Sequence, residues 1–174
     1  MIRFPLTFPM PATCRVITLS CLCLSLSAHG QSIDVPPGQH EVLKATGRGV
    51  QIYRCEQQDS AAKWVFVAPE ADLYVHGVLS GIHEAGPLWK YQDGSSVHGK
   101  VASTVPSPGS GNIPLLLLKA TDPSGKGVLT QVSYIERSET KGGLISNEVC
   151  DAEHVGSISR IPYTATYTFF APAK

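Results

Sequence analysis

The residues with the widest chemical reach cluster in one stretch, Gly81–Gly99 (GIHEAGPLWKYQDGSSVHG). It holds His83, Trp89, Asp93 and His98. Two imidazoles and a carboxylate suit zinc, iron or copper. The spacing is loose, however, and no His-x-His or His-x-x-x-His pair occurs. His83 and Glu84 are neighbours, so on a strand they point to opposite faces. Hydrogen-bonded histidines explain the same residues without a metal, and that reading is preferred. An indole beside imidazoles offers a second chemistry, stacking on a sugar or another flat ligand. His83, Trp89, Asp93 and His98 are therefore the candidate ligand-binding residues. His40, His76 and His154 stand alone and receive no role.

Other common chemistries lack their residues. A hydrolase wants a nucleophile with an activating base, and Gly-x-Ser-x-Gly is absent. Glycosidase chemistry needs two carboxylates across a cleft. Glu70, Asp72, Glu84 and Asp93 are available, but a chain of this length offers such pairs without design. A dinucleotide site wants Gly-x-Gly-x-x-Gly between strand and helix. Gly47-Arg48-Gly49 instead precedes a strand, and Gly109-Ser110-Gly111 precedes Asn112-Ile113-Pro114. No phosphate-binding Gly-Lys-Ser loop occurs, and no cofactor is expected.

The elements that must hold these residues read as short strands. Arg48–Cys55 and Lys63–Ala68 (KWVFVA) are β-rich. The second is apolar on both faces, which predicts a central, buried strand ended by Pro69. Ala68–Tyr74 has room for one helical turn. Leu88–Gln92 and Ser96–Ala102 predict a hairpin around Asp93-Gly94-Ser95. A two-residue loop sets Trp89 opposite His98. A three-residue loop sets Trp89 opposite Gly99 and Tyr91 opposite Val97, and it sorts apolar from polar residues more cleanly. The three-residue loop is preferred, with Trp89 in the core and Lys90 and His98 facing solvent. Val105–Asn112 is a Pro/Gly/Ser-rich loop, Ile113–Ala120 a strand, Asp122–Gly127 a turn and Val128–Arg137 a strand. In Tyr163–Phe170, Tyr163, Ala165, Tyr167 and Phe169 share one face, and Thr164, Thr166 and Thr168 the other. With 16 glycines, 13 prolines and no convincing amphipathic helix, the expected fold is all-β. It is a single-domain sandwich or partly closed barrel of short antiparallel strands over residues 31–174.

Residues 1–30 read as a signal peptide. Arg3 and Arg15 precede or flank the apolar run Val16–Ser27, no acid occurs before Asp34, and Ala28-His29-Gly30 suits cleavage after Gly30. Met10 offers an alternative start. The run is shorter than the about 20 residues a membrane span takes, and no later segment is long enough. The expected address is periplasmic or extracellular. The chain has 14 basic and 14 acidic residues, and the leader takes two arginines and no acid. The remainder is mildly acidic with no basic stripe, which disfavours nucleic acid as a partner. Three of the five cysteines lie in the leader. Cys55 and Cys150 remain, and an even count in an exported protein predicts a disulfide.

Several blocks then stand in order: Gln51-Ile52-Tyr53-Arg54-Cys55; Trp64 to Ala71; Gly81-Ile82-His83; Gly86-Pro87-Leu88-Trp89; Asp93 to Gly99; Ile113-Pro114 with Leu115–Leu118; Gly142-Gly143; Cys150-Asp151; and Ile161-Pro162-Tyr163. With these blocks the chain resembles a domain-of-unknown-function family of exported bacterial and fungal proteins. Some fungal members carry a "malate dehydrogenase" label, which the missing dinucleotide motif argues against. Leu115 stands where the family has Trp, and Val149 where it has Gly. The resemblance implies an exported β domain and supplies no catalytic residues. The preferred reading is a non-catalytic exported β domain that binds an envelope or extracellular ligand, carbohydrate or protein. The alternative is a small secreted, metal-dependent enzyme using His83, Asp93 and His98.

Overall fold

The computed structural model describes residues 32–173. The expected signal peptide lies outside the described residues. Eight strands follow in chain order: β1 Gln39–Gln58, β2 Ala61–Val75, β3 Val78–Glu84, β4 Leu88–Tyr91, β5 Ser96–Val105, β6 Leu115–Ser124, β7 Tyr134–Gly142 and β8 Ile158–Pro172. Each pairs antiparallel with the next, and β8 pairs back onto β1. The one sheet closes into a ring, though not a regular barrel. The all-β expectation holds in its partly closed form.

β8 forms the inner wall as its alternation predicts. Tyr163, Ala165, Tyr167 and Phe169 are all buried, and they pack with Leu73, Trp89, Val97, Leu118 and Ile135. Leu129 joins this core from a 3-10 turn at Val128–Gln131, where a strand was expected. The cause is local. Asp93 Oδ2 accepts from Val128 N–H, and Ser95 Oγ accepts from Leu129 N–H. These bonds satisfy the two leading donors of the turn, as a cap does in a helix. Gly127 makes room, because a Cβ there would lie 2.1 Å from Asp93 Oδ2.

β2 departs most from expectation. It runs through Pro69 to Val75, so the expected helical turn at Ala68–Tyr74 is strand. Pro69, Ala71 and Leu73 face inward and Glu70 and Asp72 outward. β3 pairs with β2 only from Ala71 onward, so β2 has a free edge before it. A proline is tolerated on such an edge because no ladder bond depends on its missing N–H. The same edge explains why Lys63–Ala68 is not a buried central strand. Phe66 is 50% exposed and Val67 43%. The short β3–β4 hairpin leaves this part of β2 and the far part of β5 without a strand between them.

Cys55 and Cys150 form the expected disulfide, with Cα atoms 5.6 Å apart. It ties the end of β1 to the connection between β7 and β8. Among the described residues no helix is long and apolar enough to cross a membrane.

Candidate functional site

The ring gap opens a cavity of about 280 Å³ that reaches the interior. Phe66, Val67 and Pro69 of β2, Gly86 and Pro87 of the β3–β4 turn, Val101 of β5 and Leu116 and Leu118 of β6 supply its apolar walls. Its polar lining is Gln51, His83, Arg137 and Tyr167, with the indole of Trp89. These come from β1, β3, β7, β8 and β4, so closure of the ring assembles the site.

His83 and Trp89 meet here. They pair across the β3–β4 ladder, and their rings stack with centroids 4.3 Å apart and planes 5° from parallel. The edges of Tyr167 and Phe169 close the cluster against Trp89, at 5.7 and 6.1 Å. Trp89 is 1% exposed and belongs to the core, as the preferred hairpin register requires. That register is nevertheless shifted. Trp89 pairs with Val97 and Lys90 with Ser96, and Tyr91 N–H donates to Ser95 O. The three-residue loop is therefore Gln92-Asp93-Gly94 rather than Asp93-Gly94-Ser95. A shift of two residues preserves the facing of every side chain. Trp89 still reaches Gly99, where a Cβ would lie 2.9 Å from the indole Cζ3.

His83 is 3% exposed, and its Nδ1 lies 3.0 Å from Leu88 O. A carbonyl only accepts, so Nδ1 carries the proton and Nε2 keeps a lone pair. Burial lowers the imidazole pKa to about 4, so the ring is neutral at pH 7. Tyr163 and Tyr167 share a hydroxyl–hydroxyl bond of 3.1 Å, and burial raises both phenols.

Asp93 and His98 lie elsewhere. Asp93 sits in the hairpin loop, where its carboxylate accepts from the amide and hydroxyl of Ser95 as well as from Val128. Partial burial pushes its pKa up, but these bonds outweigh it and hold the carboxyl below its ordinary value. Its stabilising effect is therefore full at neutral pH and fades as the pH falls through that lowered value. Asp93→Ala is expected to cost about 1 kcal/mol in urea unfolding at pH 7, because the capping bonds go. No loss at pH 7 would contradict the capping role. His98 pairs with Leu88 and places Nδ1 3.3 Å from Gly86 O. Among the described residues no three His, Cys, Asp or Glu side chains gather as a metal site.

Gln51, Arg137 and Tyr167 went unnoticed in the sequence as site residues. Gln51 carried a signal, being in phase with Tyr53 and Cys55, all three buried. A polar residue in the inward phase of a strand needs a partner or a ligand. It is 2% exposed, and among the described residues its Nε2 makes no hydrogen bond. The indole Nε1 of Trp89 is the second such atom. An unsatisfied buried donor costs about 1–3 kcal/mol. Gln51→Met keeps the volume and removes the donor. It is expected to raise the stability of the ligand-free protein by about 1 kcal/mol, read as a higher urea midpoint. A lower midpoint would mean that the amide is satisfied.

A family model described as Protein of unknown function (DUF3455) matches residues 36–171. The chain belongs to this family. No curated protein and no solved structure matches the chain. Gln51, His83 and Trp89 of the DUF3455 domain all stand in the blocks that carried the resemblance.

Proposed function

We propose that the protein is a non-catalytic binding domain that holds one small, largely apolar molecule in the cavity of the ring, outside the cytoplasm. One observation carries the reading. An apolar cavity opens at the side of the ring, and among the described residues the one formally charged side chain that lines it, Arg137, has no carboxylate partner. Binding pockets combine apolar walls with a few fixed polar groups in this way. Eight-stranded antiparallel barrels that hold one small ligand use the same arrangement.

The volume is near the lower end of the about 300–1,000 Å³ usual for ligand sites, which favours a small molecule over a protein segment. A sugar would demand more hydrogen-bonding side chains than this lining offers, so carbohydrate is the weaker choice. The leader-like residues 1–30 and the disulfide support an oxidising compartment. The metal-dependent enzyme reading draws no support, because His83, Asp93 and His98 do not converge.

The reading is tested on protein purified from its native compartment and extracted with organic solvent. Mass spectrometry should find one small molecule near stoichiometric amount. A correctly folded Leu116→Trp variant, which fills the cavity, should lack it. Equal recovery from both proteins would sink the proposal.

A further inference from the structure

We infer that the ligand is a monocarboxylic acid with an apolar tail, its carboxylate held inside the cavity by Arg137. This rests on the binding reading above and specifies its ligand.

Among the described residues, Arg137 is the only formally charged side chain lining the cavity. Its Nε and Nη2 both donate to Pro114 O, at 3.1 and 2.8 Å, which fixes the guanidinium in place. Among the described residues it forms no ion pair with a carboxylate. A guanidinium facing a half-buried, mostly apolar space without a counter-ion is an unbalanced charge.

The rest of the lining adds no negative charge, since among the described residues no Asp or Glu lines the cavity. A ligand that satisfies Arg137 must present acceptors and negative charge. A planar carboxylate does both, with two oxygens that suit a guanidinium. One cation and a small volume fit a monoanion better than a doubly charged phosphate.

The other end of the cavity sets the tail. Phe66 and Val67 on β2 and Val101 on β5 flank the opening and are 50%, 43% and 51% exposed. An aliphatic or aromatic tail lying between them would cover this surface, which otherwise faces water. Arg137 is partly buried and the apolar residues at the mouth are exposed, so the acid enters carboxylate first.

The test uses calorimetric titration of protein purified from cells expressing the full chain. The probes are octanoate, benzoate and the neutral 1-octanol. The expected result is that an acid binds at least about tenfold more tightly than octanol, the usual worth of a charge-assisted bond. In Arg137→Gln the acid should lose its advantage over octanol. Arg137 also holds Pro114 O, so that variant carries a risk of misfolding. Leu116→Trp leaves Arg137 and its bond to Pro114 O in place and fills the cavity, and it should abolish binding of the acid and of octanol alike. Equal binding of octanol and both acids would overturn the carboxylate assignment and leave the binding reading standing. Binding of none of the three, together with the absence of any co-purified molecule, would overturn both.

Discussion

Breaking the Cys55–Cys150 bond is expected to lower the stability by about 4 kcal/mol. The two cysteines are 95 residues apart in sequence. Cross-linking so long a loop removes many conformations from the unfolded chain. The native side matters too. The connection from Gly143 to Ser157 lies over the end of the β1–β2 hairpin with few contacts of its own. Gly156 N–H donates to Cys55 O, Cys55 N–H donates to Ser157 O, and Trp64 Nε1 donates to Glu148 O. Leu144, Val149 and Val155 along it are exposed. Tyr53 Oη–H donates to Gly143 O and Leu144 N–H to Gly111 O at its start, so without the bond the stretch is held by hydrogen bonds at its two ends and by Trp64. Urea unfolding of the oxidised protein, of the reduced protein and of a Cys55→Ala/Cys150→Ala variant checks the expectation. Both bond-free forms should share a lowered midpoint. An unchanged midpoint would show that the ring alone holds the connection.

Acidification is expected to destabilise the protein by about 3 kcal/mol through His83 alone. Burial holds the imidazole pKa near 4, below its ordinary 6.5. Between those values the unfolded chain binds the proton and the folded protein does not. Stability is therefore full above about pH 6.5, falls as the pH drops towards 4, and loses no more from this group below that. The packing explains the resistance. The ring is stacked on Trp89, meets the edge of Tyr167, and already donates from Nδ1 to Leu88 O. A second proton would sit on Nε2 inside an apolar cluster. Unfolding free energies of the wild type and of His83→Gln at pH 7 and pH 4.5 measure this term. The variant should start less stable and lose clearly less on acidification, since the carboxylates common to both cancel in the comparison. Parallel losses would show that His83 is not the titrating group.

Much of the fold was legible because its physical signals are local. The alternation of Tyr163, Ala165, Tyr167 and Phe169 against threonines can be satisfied by only one facing, and β8 adopts it. Two cysteines outside the expected leader had one pairing, and it is the one observed. The hairpin was read in the right facing but the wrong register. Ser95 closes the loop through Tyr91 N–H and also accepts from Leu129 N–H, a contact distant in sequence.

The illegible parts share this cause. Lys63–Ala68 looks like a buried strand by composition, and it is exposed because β3 and β4 are too short to cover it. Pro69 looked like a terminator, yet a free edge accepts it. The same short hairpin opens the cavity, so the cavity could not be read from any one segment. His83 and Trp89 were named from their chemistry and do line it. Arg137 lay in an ordinary alternating run, and only the closed ring shows it facing apolar walls without a counter-ion.

The most direct test of the central claim is the indole N–H resonance of Trp89 in a ¹H–¹⁵N spectrum during titration with small organic molecules. The chain has two tryptophans, and Trp64 is the built-in control, because its indole already donates to Glu148 O outside the cavity. A bound ligand should move the Trp89 indole and the Gln51 side-chain amide together and leave the Trp64 indole in place. Ligands that bind without moving Trp89 and Gln51, or that move only Trp64, would contradict the assignment of the ring cavity as the binding site.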